Sequence, residues 1–121
     1  MTREKVVFHV CPQCGNVMVG WSKCEVECCK VRLEVLDPVE PGPDGRLDVE
    51  KAEDEILVTS TLTQTKEDHV SFVALVQDDR WEIVRLYPEW DVNVYLKKRG
   101  RGKAMLYFFR TGNRRLFRQQ I

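Results

Sequence analysis

The stretch Cys11-Pro12-Gln13-Cys14-Gly15 opens a short segment that holds all five cysteines of this 121-residue chain. A Cys-x-x-Cys turn aims two thiolates at one point, and Gly15 lacks the Cβ that would hinder the end of such a turn. A tetrahedral metal ion needs two further donors, which the later cysteines can supply. The segment therefore predicts a tetrathiolate metal site.

The second pair of ligands can be chosen in two ways. Cys28 and Cys29 give the pattern C-x2-C-x13-C-C and leave Cys24 spare, whereas Cys24 and Cys28 give C-x2-C-x9-C-x3-C and leave Cys29 spare. Neighbouring residues of an extended strand point to opposite faces, so the adjacent pair can bind one ion only if the backbone turns sharply there. Zinc and iron both accept four thiolates in this geometry, so the ligands leave the metal open.

Other uses of the five thiols fit the sequence less well. An odd number argues against a closed disulfide framework. A thiol–disulfide catalyst needs a Cys-x-x-Cys of low pKa at the N-terminus of a helix, and the chain has no amphipathic helix pattern. Residues 1–10 lack the apolar core of a signal peptide, which predicts a cytoplasmic protein with reduced thiols. No apolar run approaches the roughly 20 residues of a membrane span, so no membrane partner is predicted.

Beyond the cysteines the chain reads as a series of short strands rich in Val, Ile, Thr and aromatic residues. The predicted strands are 17–21, 31–36, 56–61, 70–76, 81–87, 92–96, 104–110 and 116–119. The run Asp37-Pro38-Val39-Glu40-Pro41-Gly42-Pro43-Asp44-Gly45 cannot continue a helix or a central strand. We predict an all-β fold class, with a metal module at 1–37, a Pro/Gly/acidic linker at 38–50 and an antiparallel β-sandwich at 51–121.

The net charge is zero, but the charges are segregated along the chain. Residues 34–55 hold nine acidic and two basic side chains, and residues 97–121 hold nine basic side chains and no acidic one. A basic end with aromatic residues can bind nucleic acid, the aromatics here being Tyr107, Phe108, Phe109 and Phe117. We favour the simpler interpretation, in which the cations alternate outward along strands and the aromatic side chains pack in the core.

The cysteine pattern resembles that of desulfoferrodoxins. Cys11-Pro12-Gln13-Cys14-Gly15 with the adjacent pair Cys28-Cys29 is similar to the desulforedoxin-like module at the N-terminus of that family, where four cysteines hold an iron ion. The resemblance implies that Cys11, Cys14, Cys28 and Cys29 bind the metal and that Cys24 does not. The family usually has glycine after the adjacent pair, where this chain has Lys30. Members commonly pair through this module, which implies a homodimer.

The rest of the chain resembles the superoxide reductase (neelaredoxin-like) domain that follows in desulfoferrodoxins. The stretches that carry this similarity are Thr65-Lys66-Glu67-Asp68-His69-Val70-Ser71-Phe72, Arg85-Leu86-Tyr87-Pro88-Glu89 and Leu106-Tyr107-Phe108-Phe109. The resemblance implies an immunoglobulin-like β-sandwich, in agreement with the predicted strands.

The ligands of the family's reactive iron are not matched. That iron is held by four histidines and one axial cysteine, whereas this chain has two histidines, His9 and His69, and no cysteine after Cys29. Asp68-His69-Val70 stands where the family has His-Tyr-Ile, and another family histidine is missing around Leu62-Thr63-Gln64. The segment that begins at Arg110 replaces Cys-Asn-x-His-Gly and reads Arg110-Thr111-Gly112-Asn113-Arg114-Arg115. We therefore predict no catalytic residues and no second, histidine-bound iron.

These features lead to one predicted function and two alternatives. The chain is predicted to be a metal-binding protein with one four-cysteine iron or zinc site, whose superoxide reductase-like domain has lost its reactive site and is a binding or assembly scaffold. The first alternative is a one-electron carrier that passes electrons through a tetrathiolate iron centre to a redox or protein partner. The second is a nucleic-acid or regulatory module that uses the basic C-terminal region.

Overall fold

The computed structural model describes residues 6–99 and 102–121, and within these residues the regular structure consists of eleven β-strands and one 3-10 turn. The predicted all-β fold class is thus confirmed. Residues 1–5 of the predicted metal module, and Arg101 of the basic run, lie outside the described residues. The chain divides into two compact units, with the division between Asp37 and Pro38. In the described part of the chain, no helix has the length and apolar character needed to cross a membrane.

The first unit consists of two antiparallel hairpins. Strand β1 (Val7–Val10) pairs with β2 (Val17–Gly20), and β3 (Val26–Cys28) pairs with β4 (Val31–Leu33). After β4, the N–H of Leu36 donates a hydrogen bond of 3.0 Å to the carbonyl of Phe8. Each hairpin carries two of the four clustered cysteines in or next to its turn, so strand pairing fixes where those cysteines lie.

The second unit is a sandwich of two antiparallel sheets. Its strands are β5 (Asp48–Lys51), β6 (Glu55–Thr59), β7 (Val70–Gln77), β8 (Arg80–Arg85), β9 (Asn93–Lys97), β10 (Met105–Arg110) and β11 (Arg115–Gln120). One sheet has the order β11-β10-β7-β8 and the other the order β5-β6-β9. A single core cluster takes side chains from both sheets: Ile56, Val58, Val94 and Leu96 from one, and Val73, Leu75, Leu106 and Phe108 from the other. Alternate residues of these strands face this core, as the period of two predicts.

The predicted linker at 38–50 is largely part of the second unit. Its last three residues lie in β5, and Val39 forms a parallel bridge with Phe117. Leu47 is 2% exposed, and its backbone N–H and C=O both bond the side-chain amide of Gln119, at 3.0 and 2.8 Å. The linker prediction is therefore wrong for these residues, because two buried contacts and a strand pairing hold a stretch whose composition favours turns.

The aromatic side chains of the basic C-terminal region pack inside the protein. Tyr107, Phe108 and Phe109 are buried, and half-buried Phe117 stacks on Phe108 with ring centroids 5.2 Å apart. The simpler interpretation of these aromatics as core residues is confirmed. A nucleic-acid partner stays a prediction, and it would have to use the exposed cations without base stacking on the three buried rings.

Candidate metal centre

The turn of the first hairpin holds Cys11 and Cys14. It begins directly after β1, and the N–H of Cys11 donates to the carbonyl of Asn16 at 2.9 Å, which closes the loop. The N–H of Gly15 donates to the carbonyl of Cys11 at 2.9 Å, and Gly15 has a φ of 76°. A positive φ is accessible to glycine at little cost, so Gly15 has the role that its position after Cys14 predicts.

The turn of the second hairpin explains how two adjacent cysteines can face one site. Cys28 ends β3 and pairs with Val31, which leaves Cys29 and Lys30 as a two-residue connection. Both have positive φ, 54° at Cys29 and 63° at Lys30, as the two central residues of a type I′ hairpin turn require. The sharp turn that the adjacent pair needs is therefore present, and it is made without glycine.

The structure brings together the sulfur atoms of Cys11, Cys14, Cys28 and Cys29, all within 4.8 Å of one another. The Sγ of Cys28 lies 3.6 Å from that of Cys14 and 3.9 Å from that of Cys29. Four sulfurs bound tetrahedrally at about 2.3 Å would be roughly 3.8 Å apart, so this donor set fits one zinc or iron ion. Cys24 is exposed and is not a member of the cluster, which disfavours the ligand pattern that includes it.

Hydrogen bonding inside the cluster gives the thiols different acidities. The backbone N–H of Cys14, followed by that of Gln13, stabilises the Cys11 thiolate and lowers the pKa of Cys11 to about 6. Hydrogen bonds with Cys14 and then Cys11 favour the protonated form of Cys29 and raise its pKa to about 12. The pKa of Cys28 is also raised, chiefly by its hydrogen bond with Cys14. The cluster therefore favours a thiolate at Cys11, and a cation that binds all four sulfurs must displace the protons of the others.

Replacing Lys30 with glycine should stabilise the first unit. A side chain with a Cβ at positive φ costs roughly 1–2 kcal/mol in the folded state, and glycine removes this strain. Glycine also gives the unfolded chain more conformational freedom, which offsets part of the gain. We expect Lys30→Gly to raise the free energy of unfolding by about 1 kcal/mol, measured by urea unfolding of the metal-loaded protein. Lys30→Ala is the matched control, because it removes the charge but keeps the Cβ. Equal stability of the two variants would contradict the assignment of strain to Lys30.

The family resemblance places two of the reactive-iron ligands in the segments that begin at Asp68 and at Arg110. These two segments lie side by side in the second unit. They are joined by an ion pair, in which Arg110 donates from Nη2 to Asp68 Oδ2 at 2.7 Å and from Nε to Oδ1 at 3.2 Å. The N–H of Thr111 donates to the carbonyl of His69 at 2.9 Å, and Thr111 Oγ1 accepts from the N–H of His69 at 3.0 Å. A two-point salt bridge and backbone bonds thus connect these segments.

The ion pair shifts the pKa of Asp68. The hydrogen bond from Arg110 lowers the pKa of Asp68 below its usual value, with a smaller contribution from the N–H of Gly112. Because the folded-state pKa is the lower one, the pair adds stability above the unfolded-state pKa of about 3.9, and this stability is lost as the pH falls through the folded-state pKa.

Gly112 packs against the same carboxylate. A Cβ at this position would lie 2.5 Å from Cγ and 2.6 Å from Oδ1 of Asp68, whose side chain Arg110 holds in place. We expect Gly112→Ala to destabilise the second unit by about 1–3 kcal/mol in thermal or urea unfolding. Gly42→Ala is the control, because a Cβ there meets nothing within 4 Å. If the double variant Gly112→Ala/Asp68→Ala were no more stable than Gly112→Ala, a clash between the new Cβ and the Asp68 side chain would not be the cause of the destabilisation.

His9 is a feature near the cysteines that the sequence did not single out. It is 2% exposed, and its Nε2 has no hydrogen-bond partner among the described residues. It lies in β1, two residues before Cys11, where its neighbours in sequence are apolar. A histidine in an apolar strand is the only sequence signal that could have marked it. His69, in contrast, has its Nδ1 3.0 Å from the carbonyl of Thr65.

Comparison with known proteins gives a structural likeness only. No protein-family model and no curated protein matches this chain. Among solved structures, the chain is similar to the crystal structure of the superoxide reductase from Treponema pallidum, with a TM-score of 0.78 and 17% sequence identity over 98% of this chain and 99% of that chain. The chain therefore has the fold of a superoxide reductase, which confirms the predicted β-sandwich and, at the level of the fold, the resemblance to desulfoferrodoxins.

Proposed function

We propose that this chain is a metal-binding protein whose four clustered cysteines hold one iron or zinc ion, and that its superoxide reductase-like unit is a binding or assembly scaffold without reductase activity. Support for the metal part comes from the four sulfurs, whose mutual distances fit one tetrahedral ion. When bound, zinc supplies a structural cross-link, and iron supplies a cross-link and a one-electron couple. Cys11 and Cys14 anchor the ion to the first hairpin, and Cys28 and Cys29 anchor it to the second.

The observation that supports the proposed loss of reductase activity is the ion pair between Asp68 and Arg110. Each residue stands first in a segment on which the resemblance expects a metal ligand, and neither side chain is an imidazole or a thiol. Arg110 is largely buried, with 13% of its side chain exposed, and it binds the carboxylate at two points. The guanidinium of Arg110 has no lone pair to offer a metal ion, and it already engages both oxygens of the Asp68 carboxylate.

Metal analysis and a superoxide assay test this proposal together. Protein purified without oxygen should contain one metal ion per chain and should consume superoxide no faster than buffer. A superoxide reductase with all five iron ligands, assayed in parallel, shows that the assay can detect the activity. A second iron per chain, or superoxide consumption above that of buffer, would contradict the loss of the reactive site.

A second candidate function is electron transfer through the same cluster. Cys14 and Cys29 are exposed while Cys11 is 1% exposed, so the cluster has one side toward solvent and one toward the protein. Solvent exposure and hydrogen bonds to sulfur set the potential of a tetrathiolate iron centre, and an exposed edge shortens the distance to a partner. A coloured protein that bleaches reversibly with reductant supports this function. A colourless, zinc-loaded protein obtained from iron-replete, oxygen-free expression would remove it.

The homodimer implied by the family resemblance is part of the proposal, as is a cytoplasmic location with reduced thiols. Sedimentation equilibrium of the metal-loaded protein measures the mass in solution, and a single-chain mass would contradict the dimer.

A further inference from the structure

A basic cavity lies between the edges of the two sheets in the second unit. Strand β8 is the outer strand of the four-stranded sheet, and β9 is the outer strand of the three-stranded sheet. A cavity of about 330 Å³ opens between the first half of β8 and the end of β9. Among the described residues, its charged lining consists of Arg80, Lys97 and Arg99 against one acid, Glu82. None of these residues belongs to the cysteine cluster or to the Asp68–Arg110 pair.

The side chains of Glu82 and Gln77 hold the backbone of Lys97, in β9, and of Arg99, in the segment that follows β9. Oε1 of Glu82 accepts the N–H of Lys97 at 3.0 Å, so the carboxylate takes the place of a carbonyl on a pairing strand. The amide of Gln77, which is 7% exposed, accepts the N–H of Arg99 at 2.8 Å and donates to its carbonyl at 2.7 Å. Both anchors come from the opposite sheet, so the backbone positions of Lys97 and Arg99 across from Arg80 are set before a ligand arrives.

The positive charge of the cavity is poorly compensated. Within the described residues, the side chains of Arg80, Lys97 and Arg99 take part in no ion pair. Glu82 offsets one of the three cations. Asp78 and Asp79, in the turn between β7 and β8, are exposed and do not line the cavity. A concave site with about two excess positive charges concentrates anions from solution, and the planar guanidinium of arginine matches the oxygens of a phosphate group.

We propose that this cavity is a binding site for a small anion with two or more negative charges, of the phosphate and pyrophosphate class. The volume is at the low end for ligand pockets, which suits a compact anion. A nucleic-acid strand would instead need an extended groove with several exposed rings, whereas among the described residues that line this cavity the one aromatic is Trp81. The inference extends beyond the proposed metal function, and because the two sites share no residue, either can fail without the other.

Calorimetric titration of the metal-loaded full chain with inorganic pyrophosphate at low ionic strength tests this site. We expect saturable binding of one pyrophosphate, weakened about tenfold by Arg80→Gln and by Arg99→Gln, since each removes a charge-assisted hydrogen bond to phosphate. Arg115→Gln is the matched control, because Arg115 is an exposed arginine of β11, at the opposite edge of the four-stranded sheet. Circular dichroism of each variant establishes that it is folded.

Three outcomes would overturn the proposal. The first is no saturable binding to the folded wild-type protein, and the second is equal weakening by Arg115→Gln, which would indicate general attraction to a basic surface. The third comes from a parallel titration with a short oligothymidylate strand. If that strand bound more tightly than pyrophosphate and depended on Arg80 and Arg99, the ligand would be a nucleic acid and not a small anion.

Discussion

Replacing Cys11 with serine should remove the metal ion from the purified protein and unfold the first unit. Cys11 is the most buried of the four clustered cysteines, at 1% exposure, and its thiolate is the one that backbone N–H groups stabilise. Serine offers a hard, protonated oxygen in place of a soft thiolate, and a three-sulfur site binds zinc or iron far less tightly. A structural tetrathiolate ion contributes roughly 10 kcal/mol or more to folding, which exceeds what two short hairpins retain without it.

Metal content per chain and chelator-dependent thermal unfolding measure this effect. Cys24→Ser is the control, because Cys24 is exposed and is not in the cluster, and it should keep one ion per chain. Cys29→Ser decides between the two ligand patterns that the sequence left open. Loss of the ion in Cys24→Ser and its retention in Cys29→Ser would show that the spaced pair, and not the adjacent pair, holds the metal.

Much of the candidate metal centre could be predicted from the sequence, because thiol spacing is a local property. The Cys-x-x-Cys turn and Gly15 fix the first pair within five residues, and the structure has the expected positive φ at that glycine. The second pair could not be decided from spacing alone. It depends on a type I′ turn at Cys29 and Lys30, and neither residue is among the Asn, Asp and Gly that usually mark such a turn.

Two of the strands that were not predicted, β5 and β3, are held by their pairing partners more than by their side chains. In β5 (Asp48–Lys51) only Val49 is apolar, and the strand follows a Pro- and Gly-rich run that predicts turns. Its backbone pairs with β6, with Val49 opposite Val58. β3 (Val26–Cys28) is three residues long and lies inside the cysteine segment. A strand with one apolar residue, or with three residues in all, gives too little periodicity to detect.

The region around Asp68 and Arg110 illustrates a different limit. The count of two histidines and of no cysteine after Cys29 predicts that the family's iron ligands are missing, and this stays a prediction. The ion pair between Asp68 and Arg110 could not be predicted, since the two residues are 42 positions apart and meet because β7 and β10 are neighbours in the sheet. The same is true of the cavity between β8 and β9, whose cations come from segments that the packing of the two sheets brings together.

Replacing Phe108 with alanine should be the most damaging single change in the second unit. Phe108 is fully buried in the central strand pair of the four-stranded sheet, opposite Val73 on one side and Phe117 on the other. Its ring stacks on that of Phe117 and belongs to the core shared by both sheets. Removing the ring loses its transfer free energy and leaves a cavity, which together cost about 3–5 kcal/mol, a large part of the roughly 5–10 kcal/mol that holds a domain of this size.

Urea unfolding followed by circular dichroism measures how far Phe108→Ala lowers the free energy of unfolding. Tyr95→Ala is the matched control. Tyr95 is also an aromatic residue of a strand, but it is 61% exposed, so its truncation should change the free energy of unfolding by less than about 1 kcal/mol. The metal content of Phe108→Ala should stay at one ion per chain, because all four clustered cysteines lie in the first unit, which has its own strand pairings. If both truncations lowered the free energy of unfolding equally, burial of the Phe108 ring would not be a major contribution to the stability of the second unit. Loss of the ion in Phe108→Ala would mean that the metal centre needs the sandwich in order to form.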